Sequence, residues 1–162
     1  MENYLMINGK RIDLTEEQVE MLSEGYRKED PFERRINEKY YYIELDGEVE
    51  TSIDTGTDVE DNAHAAANYC TSKELMEQRA LHEILNRRLW RYSEQHGGDA
   101  EWDGIREHWI IVYDVRGARY CALWEGKGKR QGTTYFKDQK TAEAAIEEIV
   151  KPFAKEHPGF VL

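Results

Sequence analysis

The stretch Ser72 to Gln95, SKELMEQRALHEILNRRLWRYSEQ, constrains the fold more than any other. It contains no Gly or Pro, most of its residues are strong helix formers, and Thr71 followed by Glu74 makes a capping-box pattern at its start. A helix of this length is a rod of about 36 Å at 1.5 Å per residue. Its apolar residues do not form one narrow stripe. Met76, Ala80 and Ile84 lie on one side, Leu81, Leu85 and Leu89 on another, with Leu75 and Trp90 between. A helix this broadly apolar needs two neighbours, such as a sheet and another helix or a second subunit.

The rest of the chain supplies candidates for those neighbours. Tyr4–Ile7 and Lys10–Ile12 flank an Asn8-Gly9 turn and read as a small hairpin. Leu14–Tyr26 reads as an N-terminal helix, capped by Thr15 with Gln18 three residues on. Arg27–Glu38, interrupted by Pro31, reads as a connection. Tyr40–Ile43 and Val49–Ile53 are β-prone around Asp46-Gly47, which suits a type I′ turn. Asp54–Asn62 is expected to be a loop, and the residues before Thr71 to be extended. His108–Val115, an Arg116-Gly117 turn and Ala118–Trp124 form another hairpin. Thr134–Phe136 is then a short strand and Asp138 opens a helix carrying Ala142, Ala145, Ile146, Ile149 and Phe153 on one face. Pro152 is expected to end or bend it.

The order of elements therefore recurs, with YYYIELDGEVE and NYCTSKE answered by HWIIVYDVRGARYC and TYFKDQK. The expected fold is α+β in a single domain spanning 1–162: antiparallel sheets from two β-hairpin–strand–helix units (39–96 and 105–162), a long central helix, and an N-terminal hairpin and helix in 1–38. Duplication and the shared use of the same turn and capping chemistry both account for the recurrence.

A length of 162 residues with 40% hydrophobic content suffices for one core. No apolar run is long enough to span a bilayer, and the start, MENYLMINGK, lacks a signal peptide's basic and apolar segments, so a cytoplasmic protein is expected, without a membrane partner. Cys70 and Cys121 are far apart in strand-like sequence and read as reduced thiols.

Charge is the most informative global property. The net charge is −11, and residues 1–62, with 18 acids and 7 bases, hold all of it. From Glu44 to Asp61 there are eight acids and no Lys or Arg. That sign opposes direct nucleic-acid binding, whose affinity comes from neutralised phosphates, and favours a basic protein partner. Candidate partner-binding residues are Glu44, Glu48, Glu50, Asp54, Asp58, Glu60 and Asp61. A row of such carboxylates on a strand resembles phosphates, although a solvated acidic face accounts for the same charges.

Catalytic and metal chemistry has little support. His82-Glu83-Ile84-Leu85-Asn86 places Asn where the second His of a zinc-protease motif stands, and Asp54, Asp58, Glu60 and Asp61 lack calcium-loop spacing. No catalytic residue, metal or cofactor is expected. The Gly126–Thr134 loop lacks the phosphate-binding loop's Gly-Lys-Ser/Thr order. Its Lys127, Lys129 and Arg130, with Arg87 and Arg91 of the long helix, form an alternative anion-binding set, suited to a binder or hydrolase of a small nucleotide signal or to an acidic-to-basic homodimer.

Tyr40–Ile43 and Asp46–Val49, then Asn68–Leu75 before the long helix, Glu101-Trp102-Asp103, Trp109–Asp114, and Thr134–Asp138 followed by Thr141–Ile149 together resemble small accessory proteins of bacteriophages and prophages of Gram-positive bacteria. The resemblance covers roughly residues 39–150, through structural rather than catalytic motifs, with Cys70 where an aromatic is more usual. It implies an accessory gene product with no established enzyme activity, and small acidic proteins of that kind are often inhibitors of host defence, including anti-CRISPR proteins; the expected function is a non-enzymatic protein that inhibits or modulates a host protein through the acidic region. It assigns no site residues. A virion or assembly component is a further alternative.

Overall fold

A computed structural model describes residues 4–7, 10–19, 30–99, 101–103, 105–126 and 128–160. The expected Asn8-Gly9 turn and the helix beyond residue 19 lie outside them. Strands β1 (Tyr4–Ile7) and β2 (Lys10–Asp13) pair antiparallel, Tyr4 opposite Asp13. The helical start at 16–19 carries the expected capping box: the Gln18 amide donates to Thr15 Oγ1 and the Thr15 amide to Gln18 Oε1. The α+β class is as expected.

The first repeated unit comprises β3 (Lys39–Ile43), β4 (Val49–Ile53), α1 (Asp58–Ala65) and α2 (Lys73–Gln95). The second comprises β5 (His108–Asp114), β6 (Arg119–Glu125) and a helical tract. In each unit a third segment touches the first strand through one bridge, Cys70 on Tyr41 and Phe136 on Trp109, with two backbone hydrogen bonds apiece. Two residues after each bridge a side-chain cap opens the helix: Ser72 Oγ accepts from Leu75 N, and Asp138 Oδ1 accepts from Thr141 N. The recurrence thus extends to individual contacts.

The long helix connects two cores. Its first half sends Met76 and Ala80 against Ile43 and Cys70 of the first unit. Its second half sends Leu85, Leu89 and Tyr92 against Ile111, Phe136, Ala142, Ile146 and Phe153 of the second. Burying such side chains contributes about 1.5–3 kcal/mol each, which explains why so broad an apolar surface is tolerated. Leu75 and Trp90, expected within that surface, are exposed.

Four local expectations are corrected. The cap is Ser72, not Thr71, because both the amide and the hydroxyl of Thr71 donate to the Pro31 carbonyl and so serve the connection. Asp54–Asn62 is not all loop: α1 begins at Asp58, where the Thr57 amide donates to Glu60 Oε2. The β3–β4 turn is not type I′. Ile43 opposite Val49 and the Glu44 amide on the Glu48 carbonyl leave three loop residues, Leu45, Asp46 and Gly47, and Gly47 alone of these takes positive φ, at 97°. The register follows from the need to turn Ile43 and Val49 toward α2. Of the two outcomes expected at Pro152, ending the helix is the one that does not occur: α3 (Gln139–Ala145) passes through a π turn at Ile146–Val150, and α4 (Lys151–Glu156) continues with Pro152 in its first turn. There the missing N–H is least costly.

Candidate functional site

The acidic region divides into two populations. Asp54 is fully buried, at 0% exposure, and Arg34 grips it in a fork, Nε to Oδ2 at 2.7 Å and Nη2 to Oδ1 at 3.1 Å. The same guanidinium pairs through Nη1 with Asp61. Hydrogen bonding from Arg34 is the main cause holding the Asp54 carboxyl below its ordinary pKa, and the Gly56 amide adds to it. Glu60 is buried and accepts from Thr57, which lowers its pKa. Burial raises the pKa of Tyr69, which stacks on Tyr40 and accepts the Arg35 amide on its hydroxyl. Asp54, Glu60 and Asp61 thus secure the first unit internally, and Asp54 and Glu60 are not surface carboxylates.

Glu44, Glu48 and Glu50 are different. Strand alternation and the Tyr42–Glu50 register place them with Tyr42 on the hairpin face turned away from α2. All three are exposed, and among the described residues none has a Lys or Arg within ion-pair distance. Tyr42 registers two of them: burial raises its pKa first, followed by the charge and hydrogen bonding of Glu44 and the charge of Glu50. Like charges across a strand pair destabilise it. Asp46 lies at the tip and Asp58 at the start of α1, both exposed. Asp46 folds back, its Oδ1 accepting the Glu48 amide.

The alternative basic set is divided. Arg87 and Arg91 border a groove under the β3–β4 tip together with Arg88. Lys129 and Arg130 engage acids of the second unit, Lys129 at 3.7 Å from Asp99 and Arg130 at 2.5 Å from Glu125. Lys127 lies outside the described residues.

Sequence reasoning missed a polar cluster on the second unit. His108 is 1% exposed, its Nδ1 lies 2.8 Å from Asp99 Oδ1, and Trp102 stacks on its ring at 3.6 Å while donating to Asp99 Oδ2. Tyr135 meets both rings edge-on. His108 Nε2 is buried, with no hydrogen-bond partner among the described residues. The available signal was a histidine at the start of an apolar strand, but nothing in the spacing joined it to Asp99. Cys70 is buried, Cys121 is half-buried, and both are free thiols. His82 is exposed against Phe160. Among the described residues no group of three or more His, Cys, Asp or Glu is arranged to hold a metal, and no helix is long and apolar enough to cross a membrane.

Comparison with family models, with curated proteins and with solved structures returns no match to this chain. The resemblance to phage accessory proteins therefore rests on the residues quoted for it.

Proposed function

We propose that this protein acts by binding, docking the Glu44, Glu48 and Glu50 face of the β3–β4 hairpin onto a basic surface of a host protein and obstructing it. The observation that carries this reading is three neighbouring carboxylates, exposed and without cations of their own among the described residues, on a strand pair that their repulsion weakens. A positive surface relieves that repulsion, and the steering it gives speeds encounter. A protein that ordinarily holds nucleic acid is the partner class with such a surface, since the carboxylates can compete for the cations that neutralise phosphates. The phage resemblance fits an inhibitor of this kind, including one directed at a defence system.

The test is a capture experiment from host lysate with wild type and with Glu44→Gln, Glu48→Gln and Glu50→Gln combined. The captured protein should be lost from the triple variant, release as salt rises, and lose its own nucleic acid when the wild-type chain is added. Equal capture by both chains overturns the reading. Asp54 is unsuitable for such a test because it is buried in the Arg34 fork rather than on the docking face.

A further inference from the structure

Three arginines in a chain so rich in acids would be expected to meet carboxylates, yet those at the middle of α2 largely do not. Arg87 donates to two backbone carbonyls, Glu83 and Leu45. Arg88 lies over the Phe153 ring and 3.9 Å from the exposed Glu156. Arg91 has no acid within ion-pair distance among the described residues. Residues 87 and 91 are one turn apart on the same face, where like charges weaken a helix.

The three border a groove of about 310 Å³, closed on the other side by Leu45 and Asp46, with Ile84 as a further wall. The groove exists because the hairpin tip sits close on the helix. A Cβ on Gly47 would lie 2.8 Å from two carbons of Ile84 and 3.1 Å from Arg87 Nη2, and Gly47 also needs its positive φ. The Arg87–Leu45 hydrogen bond holds the tip in place.

We propose that this groove binds the phosphoryl end of a small phosphorylated molecule through Arg87, Arg88 and Arg91. Guanidinium groups offer paired donors matched to phosphate oxygens, and three of them supply more charge than a single carboxylate requires. The volume is at the lower end for small-molecule pockets and suits a short anionic group. The acids around the tip set the size limit. Asp46, which lines the groove, opposes any anion there, and a long polyanion that runs on past the tip also meets Glu44 and Glu48 on the far face, whereas a short one meets Asp46 and the three arginines. The site is independent of the acidic-face reading, since it uses the helix side of the hairpin.

Pyrophosphate and inorganic phosphate, titrated calorimetrically into the full chain at low ionic strength, provide the probes. Pyrophosphate should bind saturably, one per chain, and more tightly than phosphate. Arg87→Gln with Arg91→Gln should weaken it at least about tenfold. Lys129→Ala with Arg130→Ala should leave it unchanged. Asp46→Asn keeps the oxygen that accepts the Glu48 amide but removes a charge beside the groove, so affinity should rise about two- to threefold even if the double arginine variant folds poorly. Absence of saturable binding, equal loss in the Lys129 and Arg130 variant, or binding of a polyglutamate peptide in place of pyrophosphate overturns the proposal.

Discussion

Arg34 and Asp54 are joined by two hydrogen bonds between one guanidinium and one fully buried carboxylate, twenty residues apart in the chain. This pair fastens the connection before β3 to the residue after β4, alongside the Asn37 amide on the Asp54 carbonyl and the Asp54 amide on the Glu38 carbonyl. It also takes Asp54 out of the acidic surface on which the sequence places it.

Removing Arg34 should therefore harm stability more than removing an exposed charge. Arg34→Met leaves Asp54 buried and unpaired, and should lower the thermal midpoint by about 6–10 °C. Glu50→Gln should move it by less than about 2 °C. Circular dichroism melting curves for the two variants make the comparison. Equal effects would mean that the Arg34 fork does not secure the unit.

Acid should destabilise the fold through its caps and its buried carboxylate. Asp54, Glu60 and Asp138 all have pKa values below their ordinary 3.8, 4.5 and 3.8, caused first by hydrogen bonds from Arg34, Thr57 and the Thr141 amide respectively. Because the folded values lie below the unfolded ones, their stabilisation is fully present above the unfolded pKa and is lost as pH falls through the folded values. Urea midpoints should change little in these groups' titration above about pH 5 and drop below about pH 4. Asp138→Asn retains a capping oxygen, so it should alter neutral stability by no more than about 0.5 kcal/mol while reducing the acid slope.

The two faces of the long helix predict opposite outcomes for neighbouring types of leucine. Leu85 is fully buried, and Leu85→Ala should cost about 2–5 kcal/mol in urea unfolding. Leu75 is 42% exposed, and Leu75→Ala should cost less than about 1 kcal/mol.

Gly47→Ala should cost more than about 1 kcal/mol, because it combines positive φ with a close approach to Ile84. Gly128, where an added Cβ meets no atom within 4 Å among the described residues beyond its chain neighbours, is the control. Gly128→Ala should leave the urea midpoint unchanged.

Asp99 holds both His108 and Trp102. Asp99→Ala strands the buried imidazole without its Nδ1 partner, and should cost about 1–3 kcal/mol. The environment of Trp102 should change with it, visible as a shifted indole signal in a nitrogen–proton correlation spectrum. An unshifted signal would argue against the hydrogen bond from Trp102 Nε1 to Asp99.

The β propensity of Tyr40–Ile43 and His108–Val115, the long helix ending at Gln95, the cap at Thr15 and the helix opening at Asp138 were legible in the sequence because each depends on neighbours within a few residues. The choice between Thr71 and Ser72 as cap was not, because the distant Pro31 carbonyl decides it. Nor was the three-residue turn at Leu45–Gly47, since its register is set by the packing of Ile43 and Val49 with the Cys70, Met76 and Ala80 core.

The same division applies to the charges. By itself the sequence determined that the acids gather in the first part of the chain and that this part has too few bases to neutralise them. Only the tertiary structure decided which acids stay available. Burial and the reach of one guanidinium removed Asp54 and Asp61, helix capping removed Glu60, and strand alternation left Glu44, Glu48 and Glu50 together. Arg34 pairs with acids 20 and 27 positions away, and Arg87 is bonded to a carbonyl 42 positions away. Local pattern carries no information about such distances; they are set when the hairpin closes on the helix and the apolar face between them leaves water.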